Sequence, residues 1–246
     1  QKIFEMKLKV FLFLICTASI KGVPIKTEDV DDVGEFGDEV EGDMILTKEQ
    51  KEYLYYPHKN GLSDKTYRWP NNTVYYKIAP TFDKEHVEEI IRALREIENV
   101  TCIKFYPKTN STTDYVDVDY KGCKAVVGKR GEQQLLNLYV SPIGEKCFRL
   151  GVIIHEFIHA LGFYHQQSAT DRDNYVTIVK ENIKDGKEHN FDIKNGTTNF
   201  GVPYDYGSIM HYGPKFFSKN GNDTIRIKMS ASDIKKINLM YDCPEK

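Results

Sequence analysis

No stretch of this 246-residue chain is apolar for long enough to span a bilayer. A spanning helix needs about 20 such residues, and the longest uninterrupted run is Val10 to Cys16. No concentrated basic block occurs either. Lys and Arg number 34 against 36 Asp and Glu, which argues against a nucleic-acid binder. Cysteine is scarce, with five residues and no Cys-x-x-Cys pair, so a structural site built on thiolates is unsupported. Internal repeats and low-complexity tracts are absent.

What the chain does have is a core and an uneven charge. Apolar residues make up 40%, enough to offset the entropy of ordering a full-sized domain. Between Val23 and Lys59 eleven acids face four lysines, whereas from Asn60 onward 26 basic and 24 acidic residues nearly cancel. An acidic leader before a mildly basic body suits a leader that lies over a cleft. Ahead of it, Met6, Lys7 and Lys9 precede the short apolar run, and Thr17, Ala18 and Ser19 follow. A basic start, a brief apolar stretch and a small-residue exit describe a secretory signal peptide. Cleavage after Ala18 or Gly22 fits that pattern. Secretion then leaves Cys102, Cys123, Cys147 and Cys243, an even set that implies two disulfides with three possible pairings. Sequons at Asn71, Asn99, Asn110, Asn195 and Asn222 are consistent with a secreted glycoprotein.

By signal pattern and charge the chain divides into residues 1–22 leader and signal, an acidic leader segment 23–59, and a body 60–246. Lys48 to Tyr56 reads as a tyrosine-bearing linker. Thr73 to Ile78, Ile103 to Tyr106, Tyr115 to Tyr120 and Leu135 to Val140 read as strands. In Asp83 to Asn99 the apolar residues Val87, Ile90, Ile91, Leu94 and Ile97 recur at spacings of three and four, one buried stripe of a helix. Arg149 to Leu161 is a second, largely apolar helix. Asn199 to Pro214 is a loop region, and Ser232 caps a last helix. Strands and a helix first, then a helix and irregular structure, make the fold class α+β.

Residues 155 to 165 read His-Glu-Phe-Ile-His-Ala-Leu-Gly-Phe-Tyr-His. On a helix His155 and His159 lie about 40° apart around the axis and about 6 Å along it, so both imidazoles reach one zinc ion. Glu156 borders the same face, placed to act as general base on a water there. His165 cannot share that ion on a continuous helix, where it would lie about 120° from His159 and about 9 Å further on. Gly162 resolves this: glycine readily takes the left-handed conformation that ends a helix, and the chain then turns back. The expected centre is therefore one Zn2+ held by His155, His159 and His165. The remaining histidines, His58, His86, His189 and His211, read as surface or core residues.

This extended motif resembles the metzincin metalloproteases, and within them the astacin family. The likeness continues through Asp171-Arg172-Asp173-Asn174-Tyr175-Val176 and Tyr204-Asp205-Tyr206-Gly207-Ser208-Ile209-Met210-His211-Tyr212, which looks like the family's Met-turn. The resemblance implies a two-subdomain zinc protease, with a twisted mixed sheet and two long helices above the cleft and an irregular C-terminal subdomain below. It implies Met210 as an apolar floor under the metal, and Tyr212 as a further ligand that swings away to stabilise the oxyanion. It implies disulfides Cys102 with Cys243 and Cys123 with Cys147. Val40-Glu41-Gly42-Asp43 resembles the inhibitory propeptide motif, with Val40 where Phe is usual and Asp43 as the zinc-blocking carboxylate.

An activating protease cutting between Lys59 and Asn60 would then release the enzyme. Two departures stand out: Gln166 replaces a Glu that contacts the mature N-terminus in the family, and the 218–230 segment is short. The implied activity is hydrolysis of protein or peptide substrates by a monomer, with no nucleic-acid partner and no membrane span. Leu135 to Val140 is expected to offer the open strand edge for substrate. The rival readings are an inactive binding protein on the same fold, and a zinc enzyme whose third ligand is a downstream Glu.

Overall fold

The structure, a computed structural model, describes residues 39–53, 61–62, 64–194 and 197–228. The expected signal peptide, the Lys59–Asn60 junction, Asn195, Cys243 and the helix after Ser232 lie outside the described residues. In chain order the elements are β1 (Met44–Ile45), α1 (Lys48–Tyr53), β2 (Gly61–Leu62), β3 (Thr73–Ile78), α2 (Lys84–Val100), β4 (Lys104–Pro107), β5 (Tyr115–Asp119), β6 (Cys123–Val126), β7 (Gln133–Leu138), α3 (Leu150–Ala160), β8 (Val176–Ile178), β9 (Thr197–Thr198) and β10 (Ile225–Ile227). Six of the strands form one mixed sheet in the order β1-β6-β7-β5-β3-β4, in which only β6 and β7 run antiparallel. The expected α+β class with a mixed sheet holds.

Asp83 caps α2, its carboxylate accepting from the His86 backbone N–H at 3.0 Å. The helix buries Ile90, Ala93, Leu94 and Ile97, the predicted stripe. These meet Ile153, Ile154 and Phe157 of α3, and Val74, Val116, Val118, Leu136 and Leu138 of the sheet, in one apolar core. Phe157 packs edge-on to Phe105 with ring centroids 5.6 Å apart. α3 is buried on nearly every side, so it has no polar face, and its only polar side chains are the ones that carry chemistry. A second core gathers Val176, Ile183, Phe191, Tyr204, Tyr212, Phe216, Phe217 and Ile225, all beyond α3.

Two readings are corrected, and one segment gains a strand. The strand expected over Leu135 to Val140 is β7, it begins earlier, and it is an interior strand. The sheet edge is β6, and the acidic leader already occupies it: β1 pairs parallel with β6, matching Met44 with Ala125 and Ile45 with Val126. Alternating patterns reveal strands but not their lateral order, which caused the error. Next, the segment read as a linker opens as helix α1. Thr47 and Gln50 exchange capping bonds of 2.9 and 3.1 Å, and the Gln50 amide donates to the Val127 carbonyl at 2.8 Å. Finally, the short 218–230 segment contributes β10, which pairs antiparallel with β8.

Candidate metal centre

α3 ends where its glycine allows. Gly162 has φ 104°, its N–H bonds the His159 carbonyl at 2.8 Å, and the Phe163 N–H bonds the Ile158 carbonyl at 3.3 Å. That pair of bonds is a Schellman cap. Neighbours also bond carbonyls around this turn: Gly128 N–H donates to His159 as a second donor, the Trp69 indole to Ala160, and Leu62 N–H to Gly162. The cap also has a consequence for the metal site. It folds the Phe163 carbonyl back to 2.7 Å from His159 Nδ1. A carbonyl only accepts, so Nδ1 carries the proton and Nε2 presents its lone pair inward. The Ile209 carbonyl does the same for His155, at 2.8 Å from its Nδ1.

After the turn, His165 arrives beside the other two, its ring centroid 5.1 Å from His155 and 4.8 Å from His159. Asp43 completes a group of four buried ligands. His155 Nε2 and His165 Nε2 stand 3.2 Å apart. The Asp43 carboxylate lies 3.3, 3.6 and 3.2 Å from Nε2 of His155, His159 and His165. Four ligands at zinc bond lengths would sit about 3.3 Å from one another at tetrahedral corners. Among the described residues, His159 Nε2 and Asp43 Oδ1 are buried without a hydrogen-bond partner. Three imidazole nitrogens and a carboxylate with unsatisfied buried atoms thus fit one zinc ion.

Glu156 lies at the edge of this group, buried, with Oε2 lacking a partner. Burial raises its pKa well above the usual range, and the Asp43 charge adds to that. Burial opposes the charge of Asp43 too. There the charge of His165 and the close approach of the three imidazoles prevail and hold the carboxyl well below its ordinary value. Burial alone would lower His165, but Asp43 and Glu41 lift it to about 9. His159, for which burial prevails, falls to about 4.

Met210 is buried, and its carbonyl accepts from Gln166 N–H at 2.6 Å, so the Met-turn is tied to the segment bearing His165. Tyr212 packs beside His165 at 4.6 Å between ring centroids. Its hydroxyl donates to the Glu41 carbonyl while the leader is docked. The Tyr212 N–H donates to the Gln167 side chain at 3.1 Å.

Sequence reasoning assigned no role to Glu41. Its side chain is fully buried, 2.7 Å from His165 Nδ1 and 2.6 Å from Ser168 Oγ, with Lys194 Nζ at 3.4 Å. Its φ of 54° and that of Gly42 at 88° turn the chain so that both Glu41 and Asp43 point into the body. Cys123 and Cys147 form a disulfide with Cα atoms 5.7 Å apart. Cys102 is exposed, and its expected partner Cys243 lies outside the described residues. Gln166 lines a cavity of about 630 Å³ whose walls also carry Glu96 and Asp205. Among the described residues no helix is long and apolar enough to cross a membrane.

The Astacin model, which describes a peptidase family, matches residues 61–242. Seminal metalloprotease 1 of Drosophila melanogaster is 41% identical over 207 residues, covering 76% of this chain and 82% of that protein. Zinc metalloproteinase nas-13 of Caenorhabditis elegans is 38% identical over 76% of this chain, which spans only 43% of that protein's length. Among solved structures, High choriolytic enzyme 1, a hatching enzyme zinc-protease from Oryzias latipes, superposes with a TM-score of 0.63 at 36% identity, covering 75% of this chain and 100% of that one. With ligand geometry, fold and sequence in agreement, the chain belongs to the astacin family of metzincins and is a zinc metalloendopeptidase.

Proposed function

We propose that the chain is the secreted, latent precursor of this protease. In this reading residues 1–22 direct export, 23–59 inhibit, and 60–246 form the catalytic domain. The observation that carries latency is the Asp43 carboxylate among the three imidazoles, where a substrate's reacting group would have to go. His155, His159 and His165 hold the zinc ion. When bound, zinc polarises the scissile carbonyl and lowers the pKa of a water beside it. Glu156 takes that water's proton and returns it to the leaving amine. Tyr212, released from the Glu41 carbonyl when the leader departs, would serve as a further ligand and swing away when substrate binds, so that its hydroxyl donates to charge developing on the carbonyl oxygen.

β1 occupies the β6 edge, and its removal would open that edge to extended peptides through main-chain hydrogen bonds. An activating protease cutting between Lys59 and Asn60 yields a monomeric enzyme acting on protein substrates, with Cys102 and Cys243 joined as a second disulfide. Asn71, Asn99, Asn110 and Asn222 are exposed, which suits glycosylation at those sequons. Casein digestion by the chain before and after processing, with and without a chelator, tests the reading. Hydrolysis should need both processing and metal. Equal hydrolysis by the unprocessed chain contradicts latency, and chelator-resistant hydrolysis contradicts the metal mechanism.

A further inference from the structure

Tyr212 lies outside every helix and strand, and side chains take both of its backbone polar groups. Its N–H donates to the Gln167 amide oxygen at 3.1 Å. Its carbonyl accepts from Nδ1 of the adjacent His211 ring at 2.7 Å. With the proton on Nδ1 the neutral ring accepts at Nε2, and the Tyr204 hydroxyl donates there at 2.6 Å. Tyr204, His211 and Gln167 are all buried. The Tyr204 ring is braced in turn. It stacks on Tyr175 at 4.7 Å between centroids with the planes 8° apart, and Tyr206 packs edge-on to it at 5.3 Å. The Tyr206 hydroxyl donates to the Tyr175 carbonyl at 3.1 Å, which ties the three tyrosines together.

The Tyr212 ring itself stacks on Phe216 at 4.2 Å and packs beside His165, and its hydroxyl meets the Glu41 carbonyl, a partner that leaves with the leader. Ring contacts let a side chain slide, whereas directional hydrogen bonds at the N–H and the carbonyl fix the point about which it turns. Gln167 follows His165 by two residues, so its bond ties that pivot to the segment bearing the third ligand. His211, braced by Tyr204, supplies the second fixed point. Placement matters here, because misplacing a reacting group by about 1 Å costs about 10²-fold in rate. Burial makes the Tyr204 bond costly to lose, since no water replaces it at Nε2.

We infer that Tyr204 and His211 are positioning residues for the reaction. The Tyr204 hydroxyl orients the His211 ring, that ring holds the Tyr212 carbonyl, and the Tyr212 phenol turns about a fixed point to reach the scissile carbonyl oxygen. Both act through Tyr212, so the inference rests on the oxyanion role given to that residue above.

Tyr204→Phe keeps the stacked ring and removes only the donor to Nε2. In the processed enzyme kcat should fall by about tenfold, with KM and zinc content unchanged. In a Tyr212→Phe background, itself slower by about 10²-fold, the same substitution should cost nothing further. His211→Asn keeps an N–H in the place of Nδ1 and should retain more activity than His211→Ala. A second readout needs no turnover. A peptide spanning residues 39–53 should bind processed Tyr204→Phe about threefold more weakly than wild type by fluorescence anisotropy, and only while the Tyr212 hydroxyl is there to meet the Glu41 carbonyl. An equal Tyr204→Phe loss with and without the Tyr212 hydroxyl overturns the inference, because packing alone would give that result. An undiminished kcat in Tyr204→Phe overturns it too, and in both cases a slow Tyr212→Phe enzyme leaves the oxyanion role standing. A Tyr212→Phe enzyme as fast as wild type overturns the oxyanion role, and the anisotropy comparison then decides whether Tyr204 and His211 place the phenol. Should Tyr204→Phe fail to fold, His211→Asn against His211→Ala, each with and without the Tyr212 hydroxyl, gives the answer.

Discussion

His165 Nδ1 lies 2.7 Å from the Glu41 carboxylate, across 124 positions of the chain. The outer nitrogens of His155 and His159 meet backbone carbonyls of Ile209 and Phe163, supplied by the body itself. The third expected ligand is thus oriented by the leader, and the other two are not. Partners of this kind fix which nitrogen faces the metal. The leader therefore touches the centre twice, through Asp43 among the inner nitrogens and through Glu41 behind one of them.

Asp43→Ala removes the carboxylate from the ligand group but leaves β1 and Glu41 to dock the leader. The uncut chain should then hydrolyse casein at least about tenfold faster than uncut wild type, equivalent to ~1.4 kcal/mol of lost inhibition. Activity assays on protein whose leader is shown intact by mass spectrometry check this. An equally silent Asp43→Ala chain would place latency in β1 and Glu41 alone.

Glu156→Gln keeps a side chain of the same shape at a buried position and removes the base. Zinc content should stay at the wild-type level while kcat falls by about 10²- to 10⁴-fold. Substantial hydrolysis by this variant would contradict the role given to Glu156.

Gly162→Ala introduces a Cβ at φ 104° that meets nothing closer than 3.7 Å, so its effect is backbone strain without a clash. The expected loss is about 1–2 kcal/mol of stability. Because the same turn sets the Phe163 carbonyl on His159 and delivers His165, zinc affinity should fall as well. Denaturant titration and competition with a chromogenic chelator read the two effects. An unchanged zinc affinity would show that the turn does not govern the ligands.

Peptide mapping without reduction should recover Cys123 linked to Cys147, and Cys102 linked to Cys243. A Cys102–Cys123 peptide would contradict both pairings.

The metal centre was legible because its information is local. His155 and His159 are one helical turn apart, and a single glycine explains His165, so eleven consecutive residues describe three ligands and a base. The helix stripes were legible for the same reason: Ile90, Leu94 and Ile97 recur with the period of the helix they form. The role of Glu41 was not legible. Its carboxylate partners Ser168 and Lys194 follow more than a hundred residues later, and an acid in an acidic leader carries no distinguishing signal. The sheet edge was misjudged because β6 is short and carries Cys123 and Lys124, whereas β7 reads as the more regular strand. β7 is flanked by β6 and β5 in any case, and only the outer side of β6 depends on β1, a two-residue strand supplied by the leader.

The central claim is that His155, His159 and His165 converge on one zinc ion. Elemental analysis of the folded, processed protein, beside His165→Ala under the same conditions, tests it most directly. The account predicts one zinc per chain in the wild type and marked loss of metal in the variant. A folded wild-type protein free of zinc, or a His165→Ala protein that binds it equally well, would contradict it.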